Sequence, residues 1–240
     1  MVNLLIPRRR FDASRPEMID RTDNDPTLLA EDLQNLRTIN RYFGGISAVR
    51  SNILTFFKHD ASRKTFEFLD LATGAADLPI EILRVAENLE RDVRILAVDK
   101  NPQILEMAQE RTGAYRKITL EQRDLLQLGY EDKSFDIVLC SLAIHHFSRS
   151  DAVTILREMN RLSRLGFIVS DLNRSWIGAW TAWLYTHATT RNPLTLNDSY
   201  LSVLRAFTPD ELRQMAIEAG IEKFEIMIRP FFRLILVGSG

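Results

Sequence analysis

At 240 residues the chain is long enough to bury most of its surface in one α/β domain and short for two. Its 31 basic and 32 acidic side chains leave a formal net charge of -1, so no global field favours nucleic acid, an anionic membrane or a strongly charged protein, and small-molecule chemistry is the class that remains. The single cysteine, Cys140, can form neither an internal disulfide nor a cysteine metal cage, which suits a reducing cytoplasm.

Taken in chain order, the sequence starts with an apolar stretch, Met1 to Pro7, followed by Arg8-Arg9-Arg10. This reverses the basic-then-apolar order of a secretory signal, so export is not expected and the arginines read as a solvated tail. Residues 1–60 read as an N-terminal helical cover, with Leu28, Leu29, Leu33, Leu36 and Ile39 at helical spacing up to Gly44-Gly45. Residues 61–240 then alternate short apolar runs with helical periodicity, the pattern of a sheet covered by helices on both faces. Strands are expected at Phe66 to Leu71, Val93 to Val98, Ile118 to Gln122, Phe135 to Ser141 and Gly166 to Ser170. Between them, Leu78, Ile82, Val85, Ala86 and Leu89 form one helical stripe, and Ala152, Leu156, Met159 and Leu162 another.

Asn101-Pro102 and Thr208-Pro209-Asp210-Glu211 carry helix-start chemistry, and the second helix should stop at Gly220. Glu222 to Ile228 and Phe231 to Val237 are joined by a link too short for a parallel crossover, which predicts an antiparallel pair. Residues 176–206 interrupt the alternation after the fifth strand and read as a helical lid insert. No run, including Trp176 to Tyr185, approaches the roughly 20 apolar residues of a membrane span, so stable insertion in a bilayer is not expected.

The sharpest local signal is Phe68-Leu69-Asp70-Leu71-Ala72-Thr73-Gly74-Ala75-Ala76-Asp77: a strand, an acid, small residues that let a ligand approach the backbone, then a helix N-terminus with free N–H groups. Asp99 closes the second strand and can accept hydrogen bonds from two adjacent ribose hydroxyls. Asp124 follows the third. The fourth strand exits through Ser141-Leu142-Ala143-Ile144-His145-His146-Phe147.

These segments, in this order, resemble the class I S-adenosylmethionine-dependent methyltransferases, over roughly residues 65 to 240. The exit of the fourth strand is similar to that of the branch acting on quinones and polyketide phenols. Ala72 and Ala76 depart from the family, which more often has glycine there. The resemblance implies a Rossmann-like doubly wound sheet of seven strands ending in the antiparallel pair, and S-adenosylmethionine as cofactor. It implies a cofactor pocket of Asp70, Ala72, Thr73, Gly74, Asp77, Asp99, Lys100, Asp124, Leu125 and Ser141. Asp70 would face the methionine ammonium, Asp99 the ribose and Asp124 the adenine amino group.

A nicotinamide-dependent oxidoreductase is the rival. It is disfavoured because no Gly-x-Gly-x-x-Gly fingerprint is present and Asp77 would repel a pyrophosphate. A non-catalytic binding module with the same fold is the other alternative, against which the retained Asp70, Gly74 and Asp99 speak. The expected acceptor is a small apolar or aromatic molecule, a phenol or quinol methylated on oxygen. His146, then His145, is the candidate general base. Trp176, Trp180 and Trp183 fall on one helical face and, with His187, are the candidate acceptor wall. No metal is expected, Asp171 and Asn173 being the minor candidates for ligands.

Overall fold

Side chains that point alternately to two faces build the sheet, which the computed structural model shows with seven strands, the central ones buried on both faces; the structure describes residues 6–60 and 63–240. The first five residues of the N-terminal apolar stretch, and the join between the two segments expected to meet at 60/61, lie outside the described residues. Strands β1 (Thr65–Leu71), β2 (Asp92–Asp99), β3 (Ile118–Gln122), β4 (Phe135–Ser141) and β5 (Ser163–Leu172) run parallel. The last two, β6 (Phe224–Arg229) and β7 (Arg233–Ser239), form the antiparallel pair, and β7 is inserted between β5 and β6, giving the order β3-β2-β1-β4-β5-β7-β6.

The helices are α1 (Pro26–Tyr42), α2 (Gly45–His59), α3 (Asp77–Asn88), α4 (Pro102–Thr112), α5 (Arg149–Leu162), α6 (Trp176–Thr189), α7 (Pro193–Arg205) and α8 (Pro209–Glu218). On one face of the sheet Phe66, Phe68, Val93, Ile95, Ile137, Leu139, Ile168 and Ile235 pack with α2 and α3. On the other, Leu69, Leu71, Val98, Val138, Cys140, Phe167, Val169, Leu234 and Leu236 pack with α5 and α8. Burying each such large side chain contributes about 1.5–3 kcal/mol. Both helix starts behave as expected: Asn101 caps α4, accepting from the Gln103 N–H, and Thr208 with Glu211 forms a full capping box on α8. Leu89 departs from the predicted stripe and is 43% exposed, because α3 ends at Asn88 and leaves it at the cap.

The N-terminal segment divides its roles. Helix α2 joins the helical layer on the sheet, whereas α1 lies against α7 through Asn192 Nδ2 to Leu28 O (2.8 Å) and Asn35 Nδ2 to Thr195 Oγ1 (3.0 Å). The Arg8-Arg9-Arg10 run is not simply a solvated tail: Arg9 is partly buried, donates to the carbonyls of Arg205 (2.6 Å) and Phe147 (2.7 Å), and stacks on Phe207. Its guanidinium fork finds carbonyls that the ends of α7 and of the β4 exit loop leave free. No helix among the described residues is long and apolar enough to cross a membrane.

Candidate active site

The strand order reverses between β1 and β4, and in open α/β sheets the crevice at such a point, beyond the carboxyl ends of the strands, receives ligands. Two adjoining cavities open there. The first, about 430 Å³, is lined by all ten residues expected to hold the cofactor: Asp70, Ala72, Thr73, Gly74, Asp77, Asp99, Lys100, Asp124, Leu125 and Ser141. The β1–α3 turn reaches its shape through left-handed backbone at Ala72, Gly74 and Ala76 (φ 53°, 56° and 58°). For the two alanines this costs about 1–2 kcal/mol each, strain of the kind that collects at ligand sites. A Cβ on Gly74 would meet no atom within 4 Å, so the turn leaves free space above its backbone.

Asp99 is buried and accepts from the backbone N–H groups of Gly74 and Asn101, both at 3.0 Å. Burial nonetheless raises its pKa, and its remaining lone pairs stay available to a diol. Asp70, at the end of β1, has its pKa pushed up to about 7: burial raises it, a hydrogen bond from Thr73 Oγ1 (2.6 Å) opposes this, and the charges of Asp99 and Asp77 add to the rise. Asp77 is raised by burial against its ion pair with Arg111 (2.7 Å). Lys100 pairs with Asp124 at 2.9 Å, while Arg123 turns instead to Glu121. A cavity whose acids outnumber its bases in this way fits a cationic nucleoside ligand and opposes a pyrophosphate. The residues present therefore fit S-adenosylmethionine.

The second cavity, about 440 Å³, shares Ile19, Leu36, Leu142 and His146 with the first. Its roof comes from α1 (Asp32, Leu36, Ile39), Phe43, α6 (Gly178, Thr181, Ala182, Tyr185, Thr186) and α7 (Thr195, Asp198, Ser199, Ser202, Val203). The tryptophans do not form its wall. Trp180 and Trp183 are 57% and 38% exposed on the outer side of α6, and Trp176 packs with Val203 and Leu204. A Cβ on Gly178 would meet Phe232 at 3.0 Å, so this glycine lets α6 press its small-residue face against the β6–β7 turn, which sends the tryptophans outward. The aromatic wall is instead Phe43, Tyr185, Phe231 and Phe232. Phe43 meets Tyr185 and Phe231 edge-on at 4.8 and 5.3 Å. These rings are scattered through the sequence and carried no periodic signal. His187 is exposed, bonds the Trp183 carbonyl and does not reach the cavity.

The two histidines do reach it. Leu142, in left-handed conformation (φ 53°), turns the chain out of β4 into the short helical turn Ile144–His146. His145 is buried; its Nδ1 lies 2.6 Å from Asp171 Oδ1, and its backbone N–H donates to Asp171 Oδ2 at 3.1 Å. The pKa of Asp171 is lowered: burial works against this, but the charge and hydrogen bond of His145 outweigh it. An ionised carboxylate only accepts, so the proton sits on His145 Nδ1, and Nε2 is left toward Glu17 at 3.9 Å. His146 pairs through Nδ1 with Asp20 at 2.8 Å and also faces Glu17 at 3.9 Å. Burial alone would lower its pKa, yet the charge of Glu17 and the contact with Asp20 raise it to about 9.

The ligand atoms of Glu17, His145 and His146 lie within 4.8 Å of one another, a set of types that could take a divalent ion. Asp171, one of the two minor ligand candidates, is instead engaged by His145; Asn173, the other, is not part of this cluster. Glu17, Asp20 and Asp171 come from segments far from the histidines in sequence. Only the fold reveals them as partners.

Residues 68–166 match a family described as "Methyltransferase domain". The chain is 38% identical over 95 residues to a demethylmenaquinone methyltransferase of Deinococcus radiodurans, covering 39% of this chain and 37% of that protein. It is 26% identical over 160 residues to a demethylmenaquinone methyltransferase of Staphylococcus aureus, covering 61% of this chain and 64% of that protein. It thus spans less than two thirds of the length of these curated relatives. Among solved structures, an S-adenosylmethionine-dependent methyltransferase from Aquifex aeolicus superimposes with a TM-score of 0.60 at 12% identity, over 90% of this chain and 99% of that one. The CurJ carbon methyltransferase gives 0.67 at 13% identity, over 92% and 62%. At these identities the likeness is one of fold.

Proposed function

We propose that the protein, whose residues 68–166 match a methyltransferase-domain family, is an S-adenosylmethionine-dependent enzyme that methylates a small aromatic acceptor, a phenol or quinol, on oxygen. The observation that carries this reading is the pair of adjoining cavities: one lined by the ten expected cofactor residues, the other apolar and aromatic, meeting at His146 and Leu142. When bound, S-adenosylmethionine supplies a methyl group on a cationic sulfur. The protein's own residues then have three tasks. Asp99 and Asp70 hold the ribose and ammonium ends, the cover from α1, α6 and α7 excludes water, and the histidines manage the acceptor's proton.

His145, oriented by Asp171, takes the proton from the acceptor hydroxyl at Nε2. His146, an imidazolium at neutral pH, stabilises the oxyanion that results. This reverses the order first expected for the two, because a histidine with a pKa of about 9 is already protonated at pH 7 and cannot serve as the base. The same geometry admits methyl transfer to the ring carbon beside the ionised hydroxyl. This transfer uses the same two histidines, and nuclear magnetic resonance of the product separates it from O-methylation. The lone cysteine, Cys140, is free and buried, which accords with action in a reducing cytoplasm.

The test is calorimetric titration with S-adenosylmethionine and its demethylated product, followed by turnover on a phenol and quinol panel. Binding of both cofactor forms, silence with NAD and NADP, and methylated product are expected; NAD binding of equal strength would sink the reading. The same titration has a signed pH dependence. With a pKa of about 7 in the free protein, Asp70 must be ionised to receive an ammonium group, so binding releases a proton as pH falls below that value. Affinity should be level in the alkaline range and drop by about tenfold per pH unit at acid pH. Asp70→Asn should weaken binding and flatten that slope. A wild-type affinity that does not change between about pH 5.5 and about 8.5 would remove Asp70 from the ammonium site.

A further inference from the structure

The second cavity is lined by a cation that makes no ion pair among the described residues and is answered only by the more distant charge of Asp171. Arg233, at the start of β7, is 2% exposed. Its Nη2 donates to Asn40 Oδ1 at 2.8 Å and its Nε to the Phe43 carbonyl at 3.3 Å, both neutral acceptors, and its Nη1 has no partner at all. It makes no ion pair among the described residues, and burial lowers its pKa only to about 10, so it stays charged at neutral pH. A buried, unpaired guanidinium is among the costliest groups a fold can carry.

The acids around the cavity bond to other groups, Glu17 through one of its oxygens only. Asp32 accepts from Thr195 Oγ1 (2.5 Å), Asp198 from the N–H groups of Met18 and Ile19 (3.0 and 2.9 Å), Glu17 from Ser202 and faces Arg205 at 3.6 Å, and Asp171 is held by His145. The position of Arg233 is itself enforced. The preceding residues, Phe231 and Phe232, both take left-handed backbone (φ 60° and 56°), a conformation that bulky side chains adopt only under constraint. Their rings join Phe43 and Tyr185 in the aromatic wall beside the guanidinium.

We infer that Arg233 is the docking point for an anionic oxygen of the acceptor, a carboxylate or an ionised hydroxyl or enol on the same aromatic system. This rests on the methyl-transfer reading for the word acceptor, and it adds the substrate class: the molecule is an acid as well as a phenol. Arg233 lines the second cavity and not the first, and the oxygen it holds is assigned to a substituent other than the hydroxyl that the histidines serve. The planar fork offers the free Nη1–H to that oxygen, and the surrounding rings stack on the acceptor's faces.

The experiment compares 1-hydroxy-2-naphthoate with its neutral carboxamide, titrated into the protein saturated with S-adenosylhomocysteine. Wild type should prefer the carboxylate by about tenfold or more, and Arg233→Met should weaken the carboxylate by about 30-fold while leaving the amide within about threefold, as expected for one charge-assisted contact. Arg233→Lys, which keeps the charge and loses the fork, should fall between them. The melting temperature of ligand-free Arg233→Met should be equal to or above that of wild type, because an unpaired buried charge has been removed. No preference in wild type, or equal loss for both probes, overturns the assignment, as does a variant that melts lower and binds both probes poorly. The titration does not depend on turnover. A protein that shows the preference and transfers no methyl group refutes the methyl-transfer reading alone.

Discussion

His145→Gln should reduce turnover by about 100-fold or more while cofactor affinity stays within about twofold, since His145 lines the acceptor cavity and not the cofactor cavity. Asp171→Asn should reproduce much of that loss. An amide oxygen at 2.6 Å from Nδ1 can still accept, but the negative charge that supports a protonated His145 is gone, and a flipped amide would select the wrong tautomer. Equal rates in wild type and both variants would show that alignment alone drives the transfer.

His146 gives the complementary signature in pH. Its imidazolium form is present below about 9 and is lost above it. With an acceptor already ionised at neutral pH, the ratio of wild-type to His146→Gln turnover should therefore be constant through neutrality and fall toward one as pH rises through that value. A ratio that instead increases through the ordinary histidine range, about 6.5, would restore His146 to the role of base.

Asp99→Ala should weaken the binding of S-adenosylmethionine and of S-adenosylhomocysteine by about 5- to 150-fold, the equivalent of about 1–3 kcal/mol for buried donors left without an acceptor. Two effects combine. The variant removes the oxygens offered to the ribose, and it releases the Gly74 and Asn101 N–H groups that the carboxylate now holds at 3.0 Å. Asp99→Asn keeps one acceptor and should lose less. Because Asp99 is remote from the histidines' task, the turnover of the saturated variant should change far less than its affinity. Unaltered affinity would mean that the carboxylate serves only to brace the turn between β1 and α3.

How legible the protein was in its sequence varied with the range of the interactions concerned. The sheet was legible because each strand must alternate between two buried faces: Phe66 and Phe68 belong to one core, Leu69 and Leu71 to the other, and that pattern exists in the chain before it folds. The cavity proposed for the cofactor was legible for a related reason. Its acids and small residues sit at the ends of β1 to β4, and once the strands are parallel their carboxyl ends must meet.

The cavity proposed for the acceptor was not legible, because contacts between remote elements assemble it. Helical spacing placed the three tryptophans on one face of α6 but could not say which face turns inward, and the close approach of Gly178 to Phe232 decided that. The adjacency of His145 and His146 marked them as candidates but could not rank them by role, since their difference lies in Asp171, 26 residues away from one, and Asp20, 126 residues away from the other. A carboxylate at 2.6 Å and another at 2.8 Å set proton positions that no local pattern encodes. Periodicity and strand-end chemistry thus determine the fold and the cavity at the strand ends, while tertiary packing alone decides the electrostatics of the second cavity, where burial turns the placement of each charge into a pKa.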